Sequence, residues 1–555
     1  MHTLISALRN VTTTENGDTT LKSSGGACVD FFFAVKEKVG KAAVLEAIEK
    51  AWNESAADAL ALIFYTMDVR EGKSCNAESL YALHWVLLHH PETFFANLRY
   101  IETFGCVRDL ATYLFSLKQT DETAAKLQEL KMAKKHGGPP LISELGKSLC
   151  KQPPTIDEKL YDRVKSAIVD LFVDALQKDK SKLVQDGSGE AGLSLYAKWL
   201  PTQGSELDRA TNLFDAVAVV LFQMDDSGQT GQAMRRETLI QARTYLRKTY
   251  ITPLRAALRI TERLMSDKQW AAIDYAKVPS KCMHRNRSVF GKRDAERFTA
   301  FITDVSKGKQ KINTGTLKPH EIVSRVGVST ELDGQVAEVQ WSSYVNALKE
   351  RGQLSNAVAV CDVSGSMYGE PMEVCIALGI LTAQVTNAPW QNNVISFSAN
   401  PQFHTLPDGS LYDKVQSLRD MDFGLNTDFD AVFNLILERA KANNVPDIDM
   451  VRTIFVFSDM QFDKAVKGGH KTAFERIKQS FSDAGYTMPH IVFWNLRSCG
   501  NVPVKKDENG TALVSGFSGN LLKLFLEGNV EDMTPESVMH EAIGKDRYNV
   551  LKVVD

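Results

Sequence analysis

Apolar residues recur at three- and four-residue spacing through most of the first 350 positions, then fall into short unbroken runs beyond about position 356. The first pattern predicts amphipathic helices over Ala42 to Trp52, Ala56 to Asp68, Ala77 to His89, Glu92 to Thr103 and Arg108 to Leu117. Helical periodicity resumes near Asp157, Glu206, Gln232 and Pro253, and once more over Gln335 to Lys349. Short breaks make neighbouring helices antiparallel, so these segments predict a stacked, solenoid-like helical array, although no strict repeat period is visible. The second pattern predicts strands at Val358 to Cys361, Val394 to Phe397, Gln402 to Leu406, Ile454 to Phe457, His490 to Leu496 and Thr511 to Phe517. Helical segments at Pro371 to Val385, Leu411 to Arg419, Asp428 to Ala440 and Lys471 to Ala484 lie between them. Alternation of strand and helix predicts a doubly wound, Rossmann-like parallel sheet. The fold class is therefore multidomain, all-α at the N-terminus and α/β at the C-terminus.

Composition shifts set the boundaries. Residues 1–27 are polar and aperiodic and read as a flexible arm, residues 28–351 as the helical domain, and residues 352–555 as the sheet domain. Polar, Gly- and Pro-containing stretches near 136–155, 184–192 and 306–320 read as loops on the helical body.

With 44% hydrophobic and 24% charged residues in 555, the chain has the composition of a soluble globular protein. No apolar run reaches the roughly 18 residues that would suggest a membrane span. The first twenty residues lack the features of a signal peptide, which gives an expectation of an intracellular, cytoplasmic protein with no membrane partner. Eight cysteines lie far apart without CxxC spacing, so neither a zinc site nor a disulfide framework is indicated. The net charge of −3 excludes a globally basic nucleic-acid binder, so any basic surface must be local.

Chemistry concentrates at NAVAVCDVSGSM, Asn356 to Met367. Val358 to Cys361 is too continuously apolar for a half-exposed strand and reads as a central one, covered on both faces. At its carboxyl end Asp362, Ser364 and Ser366 bring one carboxylate and two hydroxyls to the rim where open α/β sheets bind ligands. Hard oxygens of this kind suit one Mg²⁺ or Mn²⁺ ion. The alternative is that they only cap the helix that follows.

The D-x-S-x-S spacing resembles the metal-ion-dependent adhesion site (MIDAS) of von Willebrand factor A domains. Thr427 in GLNTDF and Asp459 after the Ile454 strand stand where that family has further site residues. The resemblance implies that Asp362, Ser364 and Ser366 hold the ion directly or through water, that Thr427 completes the protein shell, and that Asp459 accepts from a metal-bound water. It also implies a protein partner that supplies an acidic side chain to the ion.

Residues 277–311 hold ten basic side chains against three acidic ones, a local excess that the whole chain lacks. Lys281, Arg285, Arg287, Lys292 and Arg293 are candidate phosphate contacts, with His284 and Phe290 as stacking surfaces for unpaired bases. A second run places Arg236, Arg243 and Arg247 on one helical face. The opposing possibility is that these arginines pair with the protein's own carboxylates.

The stretch YTMDVREGKSCNAESLYALHWVLLHHPETFFANL, with PSKCMHRN, resembles the TROVE region of the Ro autoantigen family, which implies a ring of HEAT-like helices joined to a von Willebrand A domain. That resemblance implies binding of small structured RNAs or misfolded RNA with single-stranded ends. Across nearly the whole chain the sequence resembles a family known only as a domain of unknown function, which couples such a helical region to CDVSGSM, NTDF, FSDM and FWNL motifs.

Other motifs fail on inspection. VREGKS has Met67 where a phosphate-binding loop needs its first glycine, and a helix rather than a strand precedes it. No HExxH or nucleophile elbow is present. The leading expectation is thus a non-enzymatic ribonucleoprotein scaffold with a metal-binding domain for a second partner. The alternatives are a metal-dependent interaction module without nucleic acid and, last, a metal-dependent hydrolase.

Overall fold

The computed structural model describes residues 10–15, 19–119, 154–186, 192–225, 236–327, 331–398, 400–421, 429–461, 473–497, 501–527 and 533–555. They form two compact units: Met1–His89 with Trp270–Val553, and His90–Gln269 with Val554–Asp555.

The first unit contains a six-stranded sheet in the order β5-β4-β3-β6-β7-β8. Its strands are β3 (Ala357–Asp362), β4 (Asn393–Phe397), β5 (Phe403–Thr405), β6 (Thr453–Ser458), β7 (His490–Asn495) and β8 (Thr511–Ser515). Every residue of β3, β6 and β8 is buried, which explains their continuous apolar runs. The sheet is mixed rather than wholly parallel, because β5 pairs antiparallel to β4. Only five residues separate these strands, and a parallel return needs a crossover of a dozen or more. Leu354 pairs with Thr386 just before β3, so the chain enters the sheet already tied to it.

Helices from both sides of position 352 pack in this same unit. Ala27–Ala34 lies against β8, and Glu331–Lys349 lies against the helix Glu370–Val385 that follows β3. Phe31, Phe32 and Phe33 are all buried. Lys73, the lysine of VREGKS, serves this contact and not a phosphate. Its buried Nζ donates to the Phe32 carbonyl, to Val35 O at 2.8 Å and to Ser515 Oγ at 2.9 Å. Terminal helix carbonyls, otherwise unpaired, are thereby satisfied. Gly72 is required there, since a Cβ would fall 2.0 Å from the Tyr65 carbonyl.

Where a flexible arm was expected over residues 1–27, the described part is folded. β1 (Val11–Thr13) and β2 (Thr19–Leu21) form an antiparallel hairpin. Leu21 and Val502 exchange backbone hydrogen bonds of 3.0 and 2.8 Å, and Glu15 N donates to Gln461 Oε1 at 2.8 Å. The arm's partner is the backbone at Val502, far along the chain, which its own composition does not reveal.

The second unit is helical. Its longest described element, Glu158–Asp186, packs on Leu213–Asp225 and Val107–Ser116. A π-helical segment, Leu246–Ile251, joins Arg236–Tyr245 to Thr252–Ala257, which carries Pro253 in its first turn. The expected loop at 306–320 is present in the first unit as the irregular stretch between helices ending at Ser306 and starting at Pro319. Of the other two, residues 136–153 and 187–191 lie outside the described residues, while 184–186 finish a helix. No described helix is long and apolar enough to cross a membrane.

Candidate functional site

β3 and β6 are parallel neighbours in the register Cys361↔Phe457, which puts Asp362 and Ser458 side by side where both strands end. Asp459 follows at once. Asp362 and Ser458 are fully buried, and Asp459 and Ser364 are 2% and 5% exposed, whereas Gly365 and Ser366 face solvent. The cluster therefore has a closed floor and an open top.

Both Asp362 oxygens are engaged. Oδ1 accepts from Ser364 N at 3.0 Å, and Oδ2 accepts from Ser458 Oγ at 2.7 Å. Ser364 and Ser366 share a hydroxyl–hydroxyl bond of 2.9 Å. Asp459 Oδ1 accepts from Gln461 N at 3.2 Å. Burial, and then the neighbouring charge of Asp459, push the Asp362 carboxyl up to about 6, while the bonds from Ser364 and Ser458 oppose that rise. The Arg497 guanidinium donates to the Ser366 carbonyl.

The donor chemistry fits a hard divalent cation: two carboxylates held in one buried cluster, with three hydroxyls beside them. Among the described residues no group of three or more His, Cys, Asp or Glu is arranged to hold a metal, so hydroxyl oxygens would have to share the work. The structure brings together Asp362, Ser364, Ser366 and Asp459. Thr427 lies outside the described residues, with the rest of 422–428.

Sequence reading missed Ser458 and Arg497. Ser458 stands in FSDM beside Asp459, but its bond to Asp362 spans 96 positions and depends on strand register. Arg497 follows FWNL with nothing local to announce its reach to the serine loop.

The basic candidates separate into inward and outward groups. Arg287 is buried and sits 3.0 Å from Asp333, with a further bond to the His284 carbonyl. It faces the core because the helix Ser280–Arg293 turns that position toward Glu331–Lys349. Phe290 is buried among Tyr275 and Phe298, so it offers no stacking surface. His284 is half-buried against Gln340, and burial lowers its pKa. By contrast, Lys281, Arg285 and Lys292 are exposed along one stripe at four- and seven-residue steps, with Arg293 exposed on the flank. Lys281 lies 3.8 Å from Glu321.

The second run is engaged at one of its positions. Arg243 is held by Asp215 through bonds of 2.6 and 2.5 Å. Arg247 is exposed and sits at the start of the π-helical segment. Arg236 opens its helix at the edge of the described residues.

Two family models match the chain. A domain of unknown function, DUF2828, matches residues 14–139 and 150–354, and another, DUF7788, matches residues 356–553. The chain is 30% identical over 551 residues to "Uncharacterized protein L728" of Acanthamoeba polyphaga mimivirus, an alignment covering 96% of this chain and 87% of the viral one. The helical region, the serine–aspartate loop and the sheet fall inside these matches, and the chain belongs to the DUF2828 family.

Proposed function

We propose that the protein is a non-enzymatic, metal-dependent interaction module: the sheet domain is of von Willebrand A type and holds one Mg²⁺ or Mn²⁺ at an adhesion-type site. The observation that carries this reading is the pairing of two buried carboxylates, Asp362 and Asp459, with Ser364, Ser366 and Ser458 at the end of the central strands. The ion would supply a charge that the carboxylates otherwise lack and an open coordination position. Asp362, Ser364 and Ser366 would hold it, Asp459 would orient a water on it, and Thr427 would complete the shell. An acidic side chain from a protein partner is the natural occupant of the open position. Electron paramagnetic resonance of added Mn²⁺ tests the site: one ion per chain for the wild type and none for Asp362→Ala. Full Mn²⁺ binding by Asp362→Ala would refute it.

A second reading is favoured by the exposed stripe of Lys281, Arg285 and Lys292. In it the TROVE-like, HEAT-like helical region binds RNA with single-stranded ends, and the whole chain is a cytoplasmic ribonucleoprotein scaffold. The surface it needs is smaller than the sequence suggests, because Arg287 and Arg243 already neutralise Asp333 and Asp215. Retention of single-stranded RNA after washing at moderate salt, read as an absorbance ratio, separates this reading from the first.

A further inference from the structure

A cavity of about 510 Å³ opens at the lower rim of the sheet, where β3, β6 and β7 begin. Its walls include Leu354 from the segment entering the sheet, Met450 and Arg452 before β6, Met488 and His490 at the start of β7, and Phe525 from the helix Lys523–Glu527. Asp362 stands at the other end of β3, five residue steps from Ala357, or about 16 Å at strand spacing. The cavity is therefore separate from the carboxylate cluster.

Its volume lies within the range of small-molecule sites, roughly 300–1,000 Å³. Leu354, Met450 and Phe525 are buried and, with the half-buried Met488, give it an apolar floor that its two methionines make adaptable in shape. Charge is distributed unevenly around it. Among the described residues of the wall one carboxylate, Asp447, braces two loops: its oxygens accept from Thr487 N at 2.9 Å and Thr487 Oγ1 at 3.0 Å. Arg452 uses its main chain for the sheet, donating to Asn356 O at 2.8 Å and accepting from His490 N at 2.8 Å. Arg452 is exposed, lines the cavity and has no ion pair among the described residues. An apolar floor beneath an uncommitted guanidinium selects for an anion with a hydrophobic body.

We propose that this cavity binds a small amphipathic organic anion, a carboxylate or a phosphate ester. Its charged group pairs with Arg452, in the two-pronged geometry that guanidinium allows, and its hydrocarbon or aromatic body lies on Met450, Met488 and Phe525.

The test is calorimetric titration of the full chain in chelator, so that the carboxylate cluster plays no part. The probes are octanoate, octyl phosphate, inorganic phosphate and octylamine. Octanoate or octyl phosphate should bind one per chain with a negative heat-capacity change, the mark of apolar burial. The tighter of the two identifies the natural head group. Octylamine, which lacks the charge-assisted contact, and inorganic phosphate, which lacks the hydrocarbon body, should each be at least about tenfold weaker. Arg452→Gln should weaken the anions by about tenfold with an unchanged melting temperature. Should Arg452→Gln melt early, Ser355→Phe, at an exposed position in the cavity wall, serves instead and should abolish binding. Anion binding unaffected by these substitutions, equal binding of octylamine, or no binding of either amphipathic anion overturns the proposal.

Discussion

Ser458 donates to Asp362 across two neighbouring parallel strands, at 2.7 Å and out of solvent. The same Ser458 oxygen accepts from Met460 N at 3.1 Å, so one hydroxyl couples the carboxylate to the turn that carries Asp459. Ser458→Ala should remove a donor from a buried carboxylate and cost about 1.5–3 kcal/mol, the range for hydrogen bonds to charged groups. Urea unfolding in chelator measures this. A midpoint unchanged at constant slope would mean that the bond does not contribute.

Arg285 and Arg287 are two positions apart and should behave oppositely. Arg287→Ala leaves Asp333 buried without its partner and should cost about 3–5 kcal/mol. Arg285→Glu with Lys292→Glu changes only exposed positions, so each should move stability by less than about 0.5 kcal/mol. If RNA is bound there, the double variant should lose it. Three phosphate contacts would give a log–log salt slope near roughly −2 for single strands. A stable Arg287→Ala protein would place that side chain outside the core.

Lys73 gives a pH dependence with a definite sign. Burial lowers its ammonium from the ordinary 10.5 to about 7, so between those values the unfolded chain binds more protons than the folded one. Its contribution to stability must therefore rise with pH across that window, by up to about 1.4 kcal/mol per unit, and level off below about 7. The readout is the difference in unfolding free energy between wild type and Lys73→Met from pH 7.5 to 9.5. It should grow in favour of the wild type as pH rises, and a flat or falling difference would contradict the assignment.

What the sequence made legible follows from how locally each feature is encoded. β3 could be read because burial on both faces removes alternation, and the D-x-S-x-S loop because its donors lie within five residues. The direction of β5 could not be read from FHT, since three residues carry no signal for parallel or antiparallel pairing. Charge runs were visible at 281–293, but the sequence does not state which side of a helix meets a neighbour. Arg287 and Phe290 thus look like surface residues in sequence, although both are buried. The Val502 backbone that orders residues 19–21, like the Ser458 bond, comes from a distant part of the chain.

Asp362, Ser364, Ser366 and Asp459 are proposed to hold a divalent ion. Chemical unfolding of the full chain, with Mg²⁺ or Mn²⁺ at about 100 times its dissociation constant and again in chelator, tests it most directly. A site present only in the folded state should raise stability by roughly 2.7 kcal/mol, and Asp362→Ala should show no rise. Identical unfolding curves with and without the ion in the wild type would contradict the claim and leave the cluster as a strand-end brace.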